Sequence, residues 1–364
     1  MRSFRRLSIC LVLSSLALAA PLHAADDWLI VDEDDRCIRI ETDLLKATIP
    51  KNNPVHWMTG IEKHSFVDKT TGFHELGDGL MVVDWLMEAG SDREWRDQLK
   101  PLDRYLWHEF ETDPARRDYA RISQGTTRPK RMVEGPQLCP FMKPVQPTVI
   151  RGDDFVAVQT QYRYEYGAPG RNSGSQWTQL VVFPKGKRYF LLMDKIDTVN
   201  DSDEMFLRND TPGCVRHTNG DTFSEFYFSY LGGPDGQYVP SSEFFEPFPS
   251  DTKYQYIRGR EPMPERFFRA YHLRNPETGA DGPWLGGLTL EPSVVYEAWC
   301  NMWPGNIIVL IEECYGKPIK AGESFSEAFI VGYFDDIAEM TAVYDAHKGN
   351  TKLVVDKSGW RLEK

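Results

Sequence analysis

Three strand-length segments between Phe155 and Asp197 constrain the fold more than any other feature. Phe155–Tyr166 alternates over twelve residues, and Gln176–Phe183 and Arg188–Asp197 follow it after turn-rich breaks. Alternation with a period of two places neighbouring side chains on opposite faces of a sheet, and short turns join antiparallel neighbours. The region therefore predicts an antiparallel β-meander.

Most of the remaining chain also carries sequence patterns typical of β-strands. Strands are predicted at 37–50, 223–230, 266–273, 285–290, 294–299, 307–313 and 324–333. One helix is predicted over Asp335–His347, with Asp335 or Asp336 as its N-cap and Gly349 as its stop signal. Many long strands with one terminal helix predict an all-β fold, an antiparallel sandwich of two sheets.

Residues 84–147 do not fit that pattern. They carry many charges, prolines and arginines without a strict period, so we expect an insertion with one or two short helices and irregular loop. Long loops in compact domains are often functional. The expected organisation is one sandwich domain over 25–364 with this insertion.

The first 24 residues resemble a secretory signal peptide. Three arginines in Met1–Arg6 precede the apolar run Leu7–Ala20 and the small-residue end His23–Ala25. The run is short for a membrane span, which disfavours an uncleaved anchor. The sequence predicts a secreted or periplasmic protein with no membrane association after signal removal.

Charge narrows the possible partners. The 364 residues include 42 Lys plus Arg against 54 Asp plus Glu, a formal net charge of -12. Binding to nucleic acid or to an anionic membrane needs a surplus of cations, so neither is expected as a partner. An anionic ligand would have to meet a local basic cluster.

No metal or cofactor is predicted. Five cysteines follow the signal segment, none in a Cys-x-x-Cys or Cys/His metal spacing, and buried apolar positions are the favoured interpretation for them. The acidic runs at 32–35 and 201–204 lack the spacing of a calcium loop and are typical of solvated turns.

Several ordered motifs resemble the galactose-mutarotase-like superfamily. They are Leu44–Pro50, then Gly60–Gly72 with its Ser-Phe-Val-Asp-Lys-Thr-Thr-Gly ending and Glu75-Leu-Gly77, the Trp177 strand with Phe-Pro-Lys-Gly-Lys-Arg-Tyr-Phe, and Gly322-Glu-Ser followed by an alternating strand. The resemblance implies a two-sheet supersandwich with a carbohydrate ligand on a concave sheet face. The superfamily includes epimerases, glycosidase accessory domains and polysaccharide lyases, so it implies no single activity.

Two cationic stretches stand out in this acidic chain. Arg208–Asn219 holds two Arg, two Asn, an Asp and a His, and 266–274 holds Arg269, Tyr271 and His272. Such a set suits β-elimination in a uronate-containing polysaccharide, which needs carboxylate neutralisation, a base and an acid. We therefore predict a polysaccharide lyase acting on an acidic polysaccharide or oligosaccharide.

The predicted roles follow from side-chain chemistry. His217 is the base, Tyr271 the acid, and Arg216, Asn209 and Arg269 bind the carboxylate. Further substrate-binding candidates are Arg208, His272, Trp299, Trp303 and His108. A turn histidine, a packed strand tyrosine and salt-bridged arginines remain alternatives for the same residues.

Two other functions stay open. In a sugar epimerase, a His would protonate the ring oxygen while a carboxylate such as Glu297 or Glu312 takes the hydroxyl proton, and a glycoside hydrolase would need two facing carboxylates. A non-catalytic carbohydrate-binding sandwich would need no acid or base. The groups that line the cleft distinguish the lyase from the epimerase or hydrolase. Cationic and amide groups indicate the lyase, and carboxylates indicate the epimerase or hydrolase.

Overall fold

The computed structural model describes residues 28–51, 59–90, 130–135, 146–303, 305–356 and 358–364. The predicted signal segment, most of the predicted insertion and His108 lie outside these ranges. The strands are β1 Ile30–Glu33, β2 Cys37–Glu41, β3 Leu45–Pro50, β4 Val67–Asp68, β5 Leu80–Ala89, β6 Lys130–Gly135, β7 Thr148–Arg151, β8 Phe155–Arg163, β9 Tyr166–Gly167, β10 Gln176–Pro184, β11 Tyr189–Asp197, β12 Ser202–Arg216, β13 Phe223–Phe228, β14 Gln237–Pro240, β15 Lys253–Ile257, β16 Phe268–Arg274, β17 Asp281–Thr289, β18 Val295–Trp303, β19 Ile307–Ile319, β20 Ser324–Phe334, β21 Lys352–Asp356 and β22 Gly359–Glu363. The α-helix α1 spans Ile337–His347.

Two large sheets form the body of the molecule. The nine-stranded sheet has the order β14-β13-β16-β17-β20-β11-β10-β8-β7, and the seven-stranded sheet has the order β15-β18-β19-β12-β5-β6-β9. The pairs that build them run antiparallel. The predicted all-β, two-sheet antiparallel sandwich is confirmed.

The main core lies between these sheets. Alternate residues of the central strands, such as Phe190, Leu192 and Phe329, point from the nine-stranded sheet toward Ile308 and Leu310 of the seven-stranded sheet. These side chains are almost fully buried. Burying one apolar side chain of this size contributes about 1.5–3 kcal/mol. The alternation of side chains along each strand therefore places every second residue in this layer.

A second core covers the other face of the nine-stranded sheet. Met340 and Tyr344 of α1 and Leu353 of β21 pack there against apolar residues of β11, β17 and β20. The side chain of Asp336 accepts a hydrogen bond from the backbone N–H of Glu339, which caps the helix as predicted. Gly349 follows with a positive φ of 86°.

Two regions differ from the sequence-based expectation. Residues 84–89 of β5 and all of β6 lie inside the predicted insertion 84–147, yet both are strands of the seven-stranded sheet. Most of the cationic stretch Arg208–Asn219, where no strand was predicted, is part of β12, which runs from Ser202 to Arg216. Neighbours on both sides supply the ladder hydrogen bonds of β12, and this pairing outweighs the turn signals of its polar residues.

Four cysteines lie in the described part of the chain. Cys37, Cys214, Cys300 and Cys314 are free, and they are buried as the sequence predicted, while Cys139 lies outside the described ranges.

No helix in the described part of the chain is long and apolar enough to cross a membrane.

Candidate active site on the seven-stranded sheet

Strand alternation places polar side chains on the outer face of the seven-stranded sheet, away from the inter-sheet core. Arg208 of β12 pairs in register with Glu313 of β19, which pairs in turn with Glu297 of β18. Paired residues on adjacent strands share a face, so these three side chains lie side by side. Their sequence neighbours Asn209 and Glu312 consequently point inward.

Lys130 of β6 joins the two glutamates. Its ammonium group donates a hydrogen bond to Glu297 Oε1 at 2.8 Å and forms an ion pair with Glu313. The ammonium also lies 5.0 Å and 5.5 Å from the ring centroids of Phe206 and Tyr296. Lys130, Glu297 and Glu313 are all fully buried. Two carboxylates and one cation thus meet in a water-poor setting.

This environment shifts the acid–base properties of the groups. Burial raises the pKa of Glu313 to about 7, although Lys130 acts in the opposite direction. Burial opposes the charge of Lys130, but Glu313 and Glu297 together raise its pKa. A carboxyl group that titrates near neutrality can both give and take a proton.

Arg208 and Asp210 extend the group along β12. The guanidinium of Arg208 lies 5.8 Å from the ring centroid of Trp299, in cation–π range. Burial raises the pKa of Asp210 to about 6, against the effect of nearby Arg208. We call Lys130, Arg208, Asp210, Glu297 and Glu313 the outer cluster.

One end of this face is closed by the loop before β15. Asn301 of β18 donates to Asp251 Oδ1 at 2.8 Å and accepts from the backbone N–H of Asp251 at 2.7 Å. Trp299, between Asn301 and Glu297 on the same face, is almost fully buried. The aromatic ring and the polar groups are therefore held in fixed positions.

A second polar group lies between the sheets. Arg269 of β16 forms an ion pair with Glu312 at 2.8 Å and donates to the backbone carbonyl of Ile311 at 2.9 Å. Asn209 donates to Glu327 Oε1 at 3.1 Å. Asp194, in register with Glu327, accepts from Trp177 and Gln179. We call Asp194, Asn209, Arg269, Glu312 and Glu327 the inner network.

The acids of the inner network are strongly perturbed. Burial raises the pKa of Asp194 to about 7 and that of Glu327 well above its ordinary value. Burial also raises the pKa of Glu312, while Arg269 opposes that shift. Each of these side chains is fully buried between two packed sheets. Their position indicates a structural role.

The structure places His217 and Tyr271, the predicted base and acid, in the apolar core. His217 is 4% exposed and contacts Phe223 edge-on at 5.6 Å, and burial lowers its pKa. Tyr271 is fully buried beside Phe226, and burial raises its pKa well above 10. Phe223 and Phe226 contact each other at 4.7 Å and lie between the two predicted catalytic groups.

The other predicted residues are dispersed as well. Arg216 is half-exposed and pairs with Asp78 at 2.7 Å, and Asn209 and Arg269 belong to the inner network. Arg208 and Trp299 do lie together on the outer face. His272 stacks on Trp284 on the far side of the other sheet. The side chain of Trp303 and all of His108 lie outside the described part.

The expected single groove containing Arg216, His217, Arg269 and Tyr271 is therefore not what the structure shows. The physical reason is alternation, because consecutive residues of one strand must point to opposite faces. The sequence interpretation treated Arg208–Asn219 as one constellation, whereas the structure places Arg208 in the outer cluster, Asn209 in the inner network and Arg216 at the surface beside Asp78.

Sequence reasoning named Glu297 and Glu312 as alternative carboxylates but missed Lys130, Asp210 and Glu313. The signal for Glu313 was present in Ile307–Glu313, because consecutive residues of a strand, such as Glu312 and Glu313, lie on different faces. Lys130 offered no local signal, since its hydrogen-bond partner Glu297 is 167 positions away. No group of three or more metal-ligating side chains is found among the described residues.

Comparisons with known proteins give likenesses of structure. No family model matches the sequence, and no curated protein matches it. Similar solved structures include galactose 1-epimerase from Lactobacillus acidophilus (8% identity, TM-score 0.43, 84% of this chain and 98% of that one) and a galactose mutarotase-like protein from Lactobacillus casei (9%, 0.39, 84% and 100%). A mutant heparan sulfate lyase from Pedobacter heparinus is similar at 11% identity and a TM-score of 0.38, over 87% of this chain and 37% of that one. These are the kinds of protein that the sequence motifs resemble.

Proposed function

We propose that this protein is a carbohydrate-active enzyme whose acid–base groups are the carboxylates of the outer cluster. The observation that carries the proposal is the meeting of Glu297 and Glu313 on the single ammonium of Lys130. Carboxyl groups in such a setting serve reactions at the anomeric carbon of a sugar, as in sugar epimerases and glycoside hydrolases.

The proton balance supports a division of roles. Lys130 remains charged because both glutamates stabilise its ammonium form. Glu313, with its pKa at about 7, exists in both protonation states near neutral pH and is the proton-transfer group. Trp299, on the same face, is almost fully buried and packs beside the guanidinium of Arg208.

Cleavage of a uronate-containing polysaccharide by β-elimination is the second candidate. Lys130 and Arg208 place two cations on the outer face, and a cation is what neutralises a uronate carboxylate. His217 and Tyr271 lie in the apolar core between the sheets, on the opposite face from these two cations, so a lyase would need its base and acid elsewhere. For this reason we rank the carboxylate mechanism first.

A panel of substrates tests the proposal. Free aldoses are followed by NMR for exchange of the anomeric protons, neutral oligosaccharides for new reducing ends, and uronate polysaccharides for ultraviolet absorbance of an unsaturated product. We expect anomeric exchange or new reducing ends. Glu297→Gln should lower that rate about 100-fold or more, because it alters one of the two acids on Lys130.

The matched control is Glu265→Gln, which changes an exposed glutamate outside the outer cluster. Its rate should equal that of the unaltered protein. Ultraviolet absorbance without anomeric exchange or hydrolysis would establish the lyase instead. No turnover in any assay, with sugar binding retained, would favour the non-catalytic sandwich.

A further inference from the structure

An aromatic surface lies on the nine-stranded sheet, on the face opposite the inter-sheet core. His272 of β16 stacks on Trp284 of β17 with ring centroids 4.7 Å apart and an interplanar angle of 8°. Tyr238 of the edge strand β14 stands 6.1 Å from Trp284 and 4.9 Å from Tyr227. Tyr238 is 53% exposed, so a large aromatic ring is presented to solvent.

A cavity of about 270 Å³ lies beyond the turn that follows β16. Phe73, Leu76 and Pro276 supply apolar walls, and His74, Arg274 and Glu277 supply polar ones. A pyranose ring has the same two-sided character, with apolar C–H faces and a rim of hydroxyl groups. The cavity is of the right size for one such ring.

Gly282 connects the cavity with the aromatic surface. A Cβ at this position would lie 2.4 Å from Phe73 Cζ, so the absence of a side chain lets Phe73 pack on the start of β17. The backbone carbonyl of Gly282 also contacts His272 Nε2 at 3.0 Å. Phe73, His272, Trp284 and Tyr238 are therefore linked through Gly282 and through ring packing, with Trp284 buried beneath and Tyr238 exposed, and we call this set the aromatic track.

Charge along the aromatic track favours an uncharged ligand. Arg274 is matched by Asp281 at 3.1 Å, and His272 Nδ1 lies 3.7 Å from Glu225. Glu277, at the cavity, adds a further carboxylate. Carboxylates accept hydrogen bonds from sugar hydroxyls but repel uronates.

We propose that the aromatic track binds a neutral oligosaccharide, with one sugar ring in the cavity at Phe73 and another at Tyr238. The site lies on a different sheet from the outer cluster, so it serves to hold a glycan and not to react with it. The sugar class rests on the proposed function, but binding here is independent of turnover.

Affinity electrophoresis and calorimetry on the full chain test this site. The probes are neutral glucan and mannan, as polymers and as hexasaccharides, with a polyuronate as the charged comparison. We expect retention by at least one neutral glycan and about tenfold weaker binding for Tyr238→Ala and for Phe73→Ala. Tyr238→Phe keeps the ring and should retain most of the affinity.

Met263→Ala is the control, because Met263 is 62% exposed and lies outside the aromatic track. Its binding should be unchanged, as should that of Glu297→Gln, which alters only the outer cluster. The proposal is overturned if no neutral glycan binds, if the polyuronate binds more tightly, or if Met263→Ala weakens binding as much as Tyr238→Ala. Loss of turnover in Glu297→Gln with glycan binding intact separates the two sites.

Discussion

The outer cluster and the inner network share the strands β12 and β19, whose side chains point alternately to the two faces of the sheet. On β12, Arg208 points outward and Asn209 inward, and on β19 Glu313 points outward and Glu312 inward. Inward groups meet partners from the opposite sheet, as Glu312 meets Arg269. Outward groups meet Lys130 and Trp299 instead.

This difference separates a structural role from a chemical one. The inner network lies between two packed sheets, where a buried ion pair holds the sheets in one relative position. The outer cluster lies on a face that is not occupied by the opposite sheet, where Lys130 contacts both Glu297 and Glu313. In the proposed function, similar residue types therefore serve different purposes on the two faces of one sheet.

The largest expected effect comes from removing the cation of the inner network. Arg269→Met leaves the buried carboxyl of Glu312 without its counterion, and the free energy of unfolding should fall by about 3–5 kcal/mol. Urea denaturation followed by circular dichroism measures the change.

The control is Arg266→Met, in the same stretch of chain. Arg266 pairs with Asp345 at 2.7 Å near the surface, where such pairs contribute about 1 kcal/mol or less. Equal losses in the two variants would show that Arg269 does not stabilise the contact between the sheets.

A pH dependence should come from Asp194. Its pKa is about 7 in the folded protein and 3.8 ordinarily, so between these values the folded chain keeps a proton that the unfolded chain has released. The free energy of unfolding should therefore fall as pH rises through this window, by about 1.4 kcal/mol per pH unit for this group, and level off above it.

Asp194→Asn removes that contribution while keeping an oxygen that can accept from Trp177 and Gln179. Denaturation curves at intervals from about pH 4 to pH 8 should show a shallower fall than in the unaltered protein. An unchanged slope would mean that Asp194 does not hold a proton in the folded state.

The smallest expected effect concerns the predicted catalytic tyrosine. The hydroxyl of Tyr271 has no hydrogen-bond partner among the described residues, so Tyr271→Phe should change the free energy of unfolding by less than about 1 kcal/mol. Turnover should also be unchanged. If kcat falls about 100-fold while the structure is unchanged, Tyr271 is the catalytic acid that the sequence predicted.

The sequence allowed the architecture to be predicted because burial and alternation are local signals. The apolar strands β10 and β11 and the Asp336 cap of α1 can be recognised from neighbouring residues alone. The strand β12 was missed because its Arg, Asn, Asp, Pro and Gly residues are typical of turns. Only its pairing with β5 and β19 makes it a strand.

The site was harder to predict because it depends on which face a residue occupies. His217 and Arg216 are adjacent in sequence, yet one packs against Phe223 and the other pairs with Asp78 at the surface. Lys130 contacts Glu297 across the folded sheet, and no spacing in the sequence predicts such a contact. Candidate catalytic residues could be listed from the sequence. Which of them lie together on one face could be decided only from the register of the strands.

The most direct test of this account compares two adjacent residues of β19. Glu312→Gln should lower the free energy of unfolding by about 3 kcal/mol or more while the folded fraction retains its kcat, because Arg269 loses its counterion in the core. Glu313→Gln should lower kcat by about 10²–10⁴-fold with a smaller loss of stability, since Glu297 still faces Lys130. If Glu313→Gln keeps its kcat, or if Glu312→Gln loses as much, the assignment of chemistry to the outer face is contradicted.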